Sequence, residues 1–168
     1  MKLSSEQRKK LLAKREQLQR KLAKNEQIFL IQRLLFEFDS NGIEYNIIYP
    51  DYKTLEIPVA TWVQNNFPIT TWCRIDWSRI TRTKKCTADS DYEKLLEEII
   101  EEQQLDNPVV ELIWTNANRP SIQIKLCDAI KNVEIIFGQD FDTWIVCSKN
   151  KWCIEYHHDG ELSYASCA

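Results

Sequence analysis

The sequence predicts an α+β fold: a mostly antiparallel sheet with packed helices, a C-terminal three-strand meander and a long basic helix at the N-terminus. Three observations carry this. No proline or glycine interrupts the chain before Gly42, so a helix opened by the capping box Ser4-Ser5-Glu6-Gln7 can run unbroken to about residue 38. Residues 143–148, 152–157 and 161–166 read as three short strands, joined by Ser148-Lys149-Asn150-Lys151 and by His158-Asp159-Gly160. Between these ends the periodicity passes through strands, a helix, a strand and a second helix, an order that suits helices packed on an antiparallel sheet.

Taken in order, Leu11, Leu18, Leu22 and Phe29 fall on a rough seven-residue beat that Arg15 and Asn25 interrupt, so no coiled-coil seam is sustained. Ile28, Ile31, Leu34, Leu35 and Phe38 then have the spacing of a helix laid on a core, and Asp39-Ser40-Asn41-Gly42 stops it. Residues 1–27 are therefore expected to be a basic helical extension, and residues 28–168 a single domain. Strands are predicted over 43–49, 54–59 and 70–77, and a basic polar loop over 79–88. Ser90 and Glu93 form a second capping box. It opens a helix with Tyr92, Leu95, Leu96, Ile99 and Ile100 on one face and Glu97, Glu98, Glu101 and Glu102 on the other, ended by Asn107-Pro108. A buried strand is expected over 109–115. Pro120 suits the first turn of a helix carrying Ile122, Leu126, Ala129, Ile130 and Val133, although the alternation of Ile122, Ile124 and Leu126 also permits a strand. Asp159-Gly160 is the favoured pair for a type I′ hairpin turn.

The 168 residues suffice for one domain with a real core. No stretch reaches the roughly 18 apolar residues of a membrane span, and the start runs into charge instead of an apolar signal segment. A soluble, cytoplasmic protein is expected. Six cysteines, none in a C-x-x-C pair, then read as reduced thiols that fill apolar space. The net charge of −3 conceals a polarised chain. Residues 1–24 hold nine bases against Glu6 and Glu16, for +7, and the remainder carries −10. An acidic body repels nucleic acid and attracts basic partners.

Three constellations bear on chemistry. Asp140 and Asp142 lie upstream of Glu155-Tyr156-His157-His158-Asp159-Gly160-Glu161, the densest titratable cluster in the chain. Asp142 and Glu155 on neighbouring strands, with His157 two positions on, echo the divalent-metal site of restriction-type nucleases, but His157 stands where a lysine is expected. The simpler reading is a solvated hairpin end. A zinc site from His157, His158 and a cysteine is disfavoured, because successive strand residues face opposite ways. With three glycines there is no phosphate-cradling loop, and no G-x-S-x-G elbow is present. A non-enzymatic protein without metal or cofactor is the better expectation. The second constellation is the basic arm, in which Arg8, Lys9, Lys10, Lys14, Arg15, Arg20 and Lys21 could follow a phosphate backbone, though without the interleaved aromatics of nucleic-acid platforms. The third is a set of six tryptophans. Most belong in a core, but Trp144 and Trp152 flank the acidic hairpin and are the first candidates for partner anchors.

A resemblance narrows these classes. Ile113-Trp114, then Pro120 and the 122–133 segment, then Asp142-Thr143-Trp144-Ile145, and finally Ile154-Glu155-Tyr156-His157-His158-Asp159-Gly160-Glu161-Leu162 are similar to the C-terminal part of bacterial contact-dependent growth inhibition immunity proteins. The resemblance implies a non-enzymatic protein that binds and neutralises a cognate toxin domain, often a nuclease. Asp140, Asp142, Trp144, Glu155, His157, Asp159 and Glu161 are the candidate contacts. The motif residues Trp144, Ile154 and Tyr156 can equally serve the core, and Asp159-Gly160 the turn. The alternative is a nucleic-acid-associated protein using the basic helix, or a metal-dependent nuclease using Asp142, Glu155 and His157.

Overall fold

The computed structural model describes residues 4–71, 74–80, 83–87 (as strand backbone) and 91–167. Its core element is a seven-stranded, wholly antiparallel sheet of order β1-β4-β3-β5-β6-β7-β2, formed by β1 (Asn46–Ile48), β2 (Thr83–Thr87), β3 (Val109–Trp114), β4 (Ser121–Lys125), β5 (Thr143–Cys147), β6 (Trp152–Tyr156) and β7 (Glu161–Ser166). The helices are α1 (Ser5–Ser40), α2 (Pro58–Asn66), α3 (Tyr92–Gln103), α4 (Leu126–Lys131) and α5 (Val133–Phe137).

Both faces of the sheet are covered. Leu112, Ile145, Ile154 and Leu162 meet Ile31, Leu34 and Phe38 of α1, Leu96 and Ile99 of α3, and the apolar residues of α4 and α5. The alternate residues Ile113, Trp144, Val146, Cys153 and Ala165 meet Val59 and Val63 of α2 and then Phe67, Ile75 and Trp77. Double coverage explains why β5 is buried at every position and lacks a polar face.

The capping box of α1 forms as expected: Gln7 N–H donates to Ser4 Oγ at 3.2 Å, and Ser4 N–H to Gln7 Oε1 at 2.9 Å. The helix continues through residue 27 without a break, and its buried side chains are Gln27, Ile31, Leu34 and Phe38, one face of the C-terminal half. Upstream, Leu11, Leu12, Leu18 and Leu22 are exposed. This half is nevertheless tied to the loop after β1. Tyr52 donates to Glu16 at 2.5 Å, Lys53 reaches Glu16 at 3.2 Å, and Lys24 lies over the Tyr49 ring at 4.3 Å.

The C-terminal meander and the strand over 109–115 are as the sequence predicts. Several other segments differ. Residues 54–59 form a turn and the start of α2, where Pro58 occupies the first helical turn and ends any strand. Around 70–77 the described residues form an Ile69–Ile75 bridge before a 3-10 turn, Trp77–Arg79. Trp72 and Cys73 lie outside the described residues. The basic segment expected as a loop supplies the edge strand β2, paired with β7. For α3 the cap is Asp91, which accepts the Lys94 N–H at 3.1 Å, and Ser90 lies outside the described residues. Residues 121–125 are strand β4, between β1 and β3, so helix begins only at Leu126. The turn after β6 is not type I′. Gly160 has φ +89° but Asp159 has no positive φ, and Gly160 N–H donates to His157 C=O at 2.9 Å, as in a three-residue hairpin loop with a bulge. Among the described cysteines, Cys127, Cys147, Cys153 and Cys167 are free thiols.

Candidate functional site

The predicted contact residues divide into two layers at one end of the sheet. Trp144 and Glu155 are directly opposite in the β5–β6 register, and Glu155 is 1% exposed. A carboxylate in an apolar layer needs donors. Trp144 Nε1 donates to Oε1 at 2.8 Å, Ile75 N–H to Oε1 at 3.2 Å, Trp77 Nε1 to Oε2, and Arg74 Nε lies 3.6 Å from Oε2. Burial pushes the carboxyl above its ordinary value, while Trp77, Ile75, Arg74 and Trp144 pull it back. Glu155 therefore pins the 74–77 segment to the sheet from the interior, and Trp144 is part of that clasp. Trp152, 2% exposed, is likewise core and not an anchor. Neither Glu155 nor Trp144 stands at the surface as the contact assignment requires.

The nuclease-like pairing of Asp142 with Glu155 does not form either. Thr143 opposes Tyr156 and Trp144 opposes Glu155, so Asp142 falls one step beyond and meets His157 and His158. Arg74 and Trp77, some eighty residues upstream, saturate Glu155 instead. The only sequence signal for this clasp is a lone acid inside the apolar strand Trp152–Tyr156.

The outer layer is where the chain leaves the sheet. Asp140 accepts the Asn116 N–H at 3.0 Å and lies 3.9 Å from Arg119 Nε, joining this end to the β3–β4 loop. Asp142 Oδ1 accepts the His158 N–H at 3.2 Å. It lies 3.1 Å from His158 Nδ1 and 3.7 Å from His157 Nε2. Asp159 Oδ1 sits 2.7 Å from His157 Nδ1 and accepts the Glu161 N–H at 3.1 Å. The His157 contact holds the Asp159 carboxyl below its ordinary range. Glu161 reaches Arg74 at 3.5 Å. Phe141, which sequence reasoning passed over, stands between the two aspartates with 70% of its surface exposed and its ring against His158. His157 and His158 do not face apart: regular strand ends at Tyr156, and their ring centroids are 4.0 Å apart. The bases Arg8, Lys9, Lys10, Lys14, Arg15, Arg20 and Lys21 are all exposed on α1, with Lys10 paired to Glu6 and Arg20 to Glu16.

The fold and this site define an α+β protein whose exposed end presents acids, histidines and one bare aromatic ring. A family model described as CdiI immunity protein EcoliA0-like matches residues 34–165. The chain belongs to that family of contact-dependent growth inhibition immunity proteins. The match begins far upstream of Ile113, inside α1, and reaches all seven strands and helices on both faces of the sheet. No curated protein matches the chain. Among the described residues, no helix is long and apolar enough to cross a membrane.

Proposed function

We propose that the protein binds and neutralises a cognate toxin domain, and that it does so without catalysing a reaction. The observation that carries this reading is the family match over residues 34–165. Two features support it. The residues after Lys24 carry a charge of −10, suited to a toxin whose working surface is basic because it grips phosphate. The outer layer also joins an exposed aromatic side chain, Phe141, to Asp140, Asp142, Asp159 and Glu161, with His157 beside them. A bare aromatic ring inside a charged rim is the make-up of an interface hot spot. Phe141 would fill a pocket on the toxin while the acids align it and speed encounter. This end of the sheet is the contact, and the basic helix lies outside it.

The test is growth of cells expressing the toxin domain with this chain or with Phe141→Ala. Phe141 is surface-exposed, so its removal leaves the fold intact. Loss of a hot-spot ring weakens the complex by about 2 kcal/mol or more, and protection should fall accordingly. Full protection by the variant would move the contact elsewhere.

A further inference from the structure

Asp142, His157 and His158 bring a carboxylate oxygen and two imidazole nitrogens within 4.8 Å of one another. We propose that these three residues form a binding site for a divalent transition-metal ion of the zinc class, independent of any toxin.

His157 is flanked by two carboxylates. Asp159 Oδ1 lies 2.7 Å from Nδ1, close but without the alignment of a hydrogen bond. On the other side Nε2 lies 3.7 Å from Asp142 Oδ1. A carboxylate beside the rear nitrogen is the usual outer-shell partner of a ligating histidine. A cation between Nε2 and this carboxylate, a proton or a metal ion, makes their approach favourable. His158 completes the set with Nδ1 3.1 Å from the same oxygen. Tetrahedral zinc with ligands at about 2.0–2.2 Å needs ligand atoms about 3.3–3.6 Å apart, a range that the two observed separations bracket. Imidazole and carboxylate without thiolate favour zinc, nickel, copper or iron(II) over magnesium or calcium.

The site is also built into the fold. Asp142 precedes β5, and both histidines follow β6 across the same register. The side chains of Asp142 and His157 are 14% and 15% exposed, whereas His158 is 54% exposed. Two ligands are thus held by packing and the third closes from solvent. Three protein ligands leave a fourth tetrahedral position open.

The experiment is calorimetric titration of Zn²⁺ into metal-stripped full-length protein, with His158→Ala and Asp142→Asn as variants and circular dichroism as the check on folding. Co²⁺ absorption reports the ligand type. The expected result is one zinc per chain, a rise in melting temperature on loading, at least tenfold weaker binding in His158→Ala, and a cobalt spectrum without thiolate charge transfer. Asp159→Asn, outside the ligand set, should weaken binding less than His158→Ala does. No saturable binding would overturn the proposal. So would affinity unchanged in a folded His158→Ala protein, or a thiolate band that places the ion on cysteine.

Discussion

Trp144 donates its indole N–H to the Glu155 carboxylate from the facing position on β5, at 2.8 Å, in a layer where both side chains are buried. This pair is the anchor to which Ile75, Trp77 and Arg74 attach. It makes the motif's most conspicuous acid a stabiliser of the second apolar layer.

Glu155→Gln tests that role. Every partner of the carboxylate is a donor, so an amide directs its own N–H₂ at another donor. The variant is expected to lose about 2–3 kcal/mol, as for buried hydrogen bonds to a charged group. Urea unfolding should show a lower midpoint at an unchanged slope. An unshifted midpoint would show that the 74–77 segment is held by apolar contacts alone.

The packed half of α1 begins where burial begins. Leu34 is fully buried and Leu22 is 60% exposed. Leu34→Ala should cost about 2–5 kcal/mol, and Leu22→Ala about 0.5 kcal/mol at most. Equal costs in thermal or chemical unfolding would mean that the upstream leucines are covered in solution.

Upstream, α1 is held by polar contacts that titrate. Tyr52, Lys53 and Arg20 lower the Glu16 carboxyl from 4.5 to about 2. A depressed carboxylate stabilises the folded form above its unfolded value and loses that contribution as pH falls through its folded value. The stability difference between wild type and Glu16→Gln should therefore be constant above about pH 5 and shrink between 4.5 and about 2. Solvent exposure keeps it small. Amide hydrogen exchange in residues 16–24 across that range reads it directly, and a flat profile would show that the contacts do not persist.

The basic helix separates the two function classes. Replacing Arg8, Lys9, Lys10, Lys14, Arg15 and Lys21 by Gln should leave toxin neutralisation unchanged, because the proposed contact is at the opposite chain end. If the helix instead grips phosphates, the same variant abolishes nucleic-acid binding, and the wild type's affinity falls steeply with salt. Loss of neutralisation in the Gln variant would place the toxin on α1.

The C-terminal meander was legible because short strands and an Asp-Gly turn are local signals. So was α3, whose apolar face and glutamate face obey helical spacing. Residues 121–125 were ambiguous for a physical reason: Ile122, Ile124 and Leu126 satisfy both periods, and only pairing to β1 and β3 decides between them. Residues 54–59 carry strand-like side chains, but Pro58 starts a helix there. The candidate site was half legible. The cluster at 140–161 was evident, yet the division into a buried clasp and an outer rim depends on donors from residues 74–77, a long-range relationship that no local pattern encodes. The alternation rule likewise fails at His157 and His158 because regular strand stops at Tyr156.

The central claim is neutralisation by direct binding. The most direct measurement is co-expression of the full chain with the toxin domains that accompany EcoliA0-like immunity proteins, scored by growth and by recovery of the purified complex. One toxin domain should be neutralised, with restored growth and a stable one-to-one complex that Phe141→Ala weakens. Growth arrest by each toxin domain despite abundant folded protein, with no complex recovered, would contradict it.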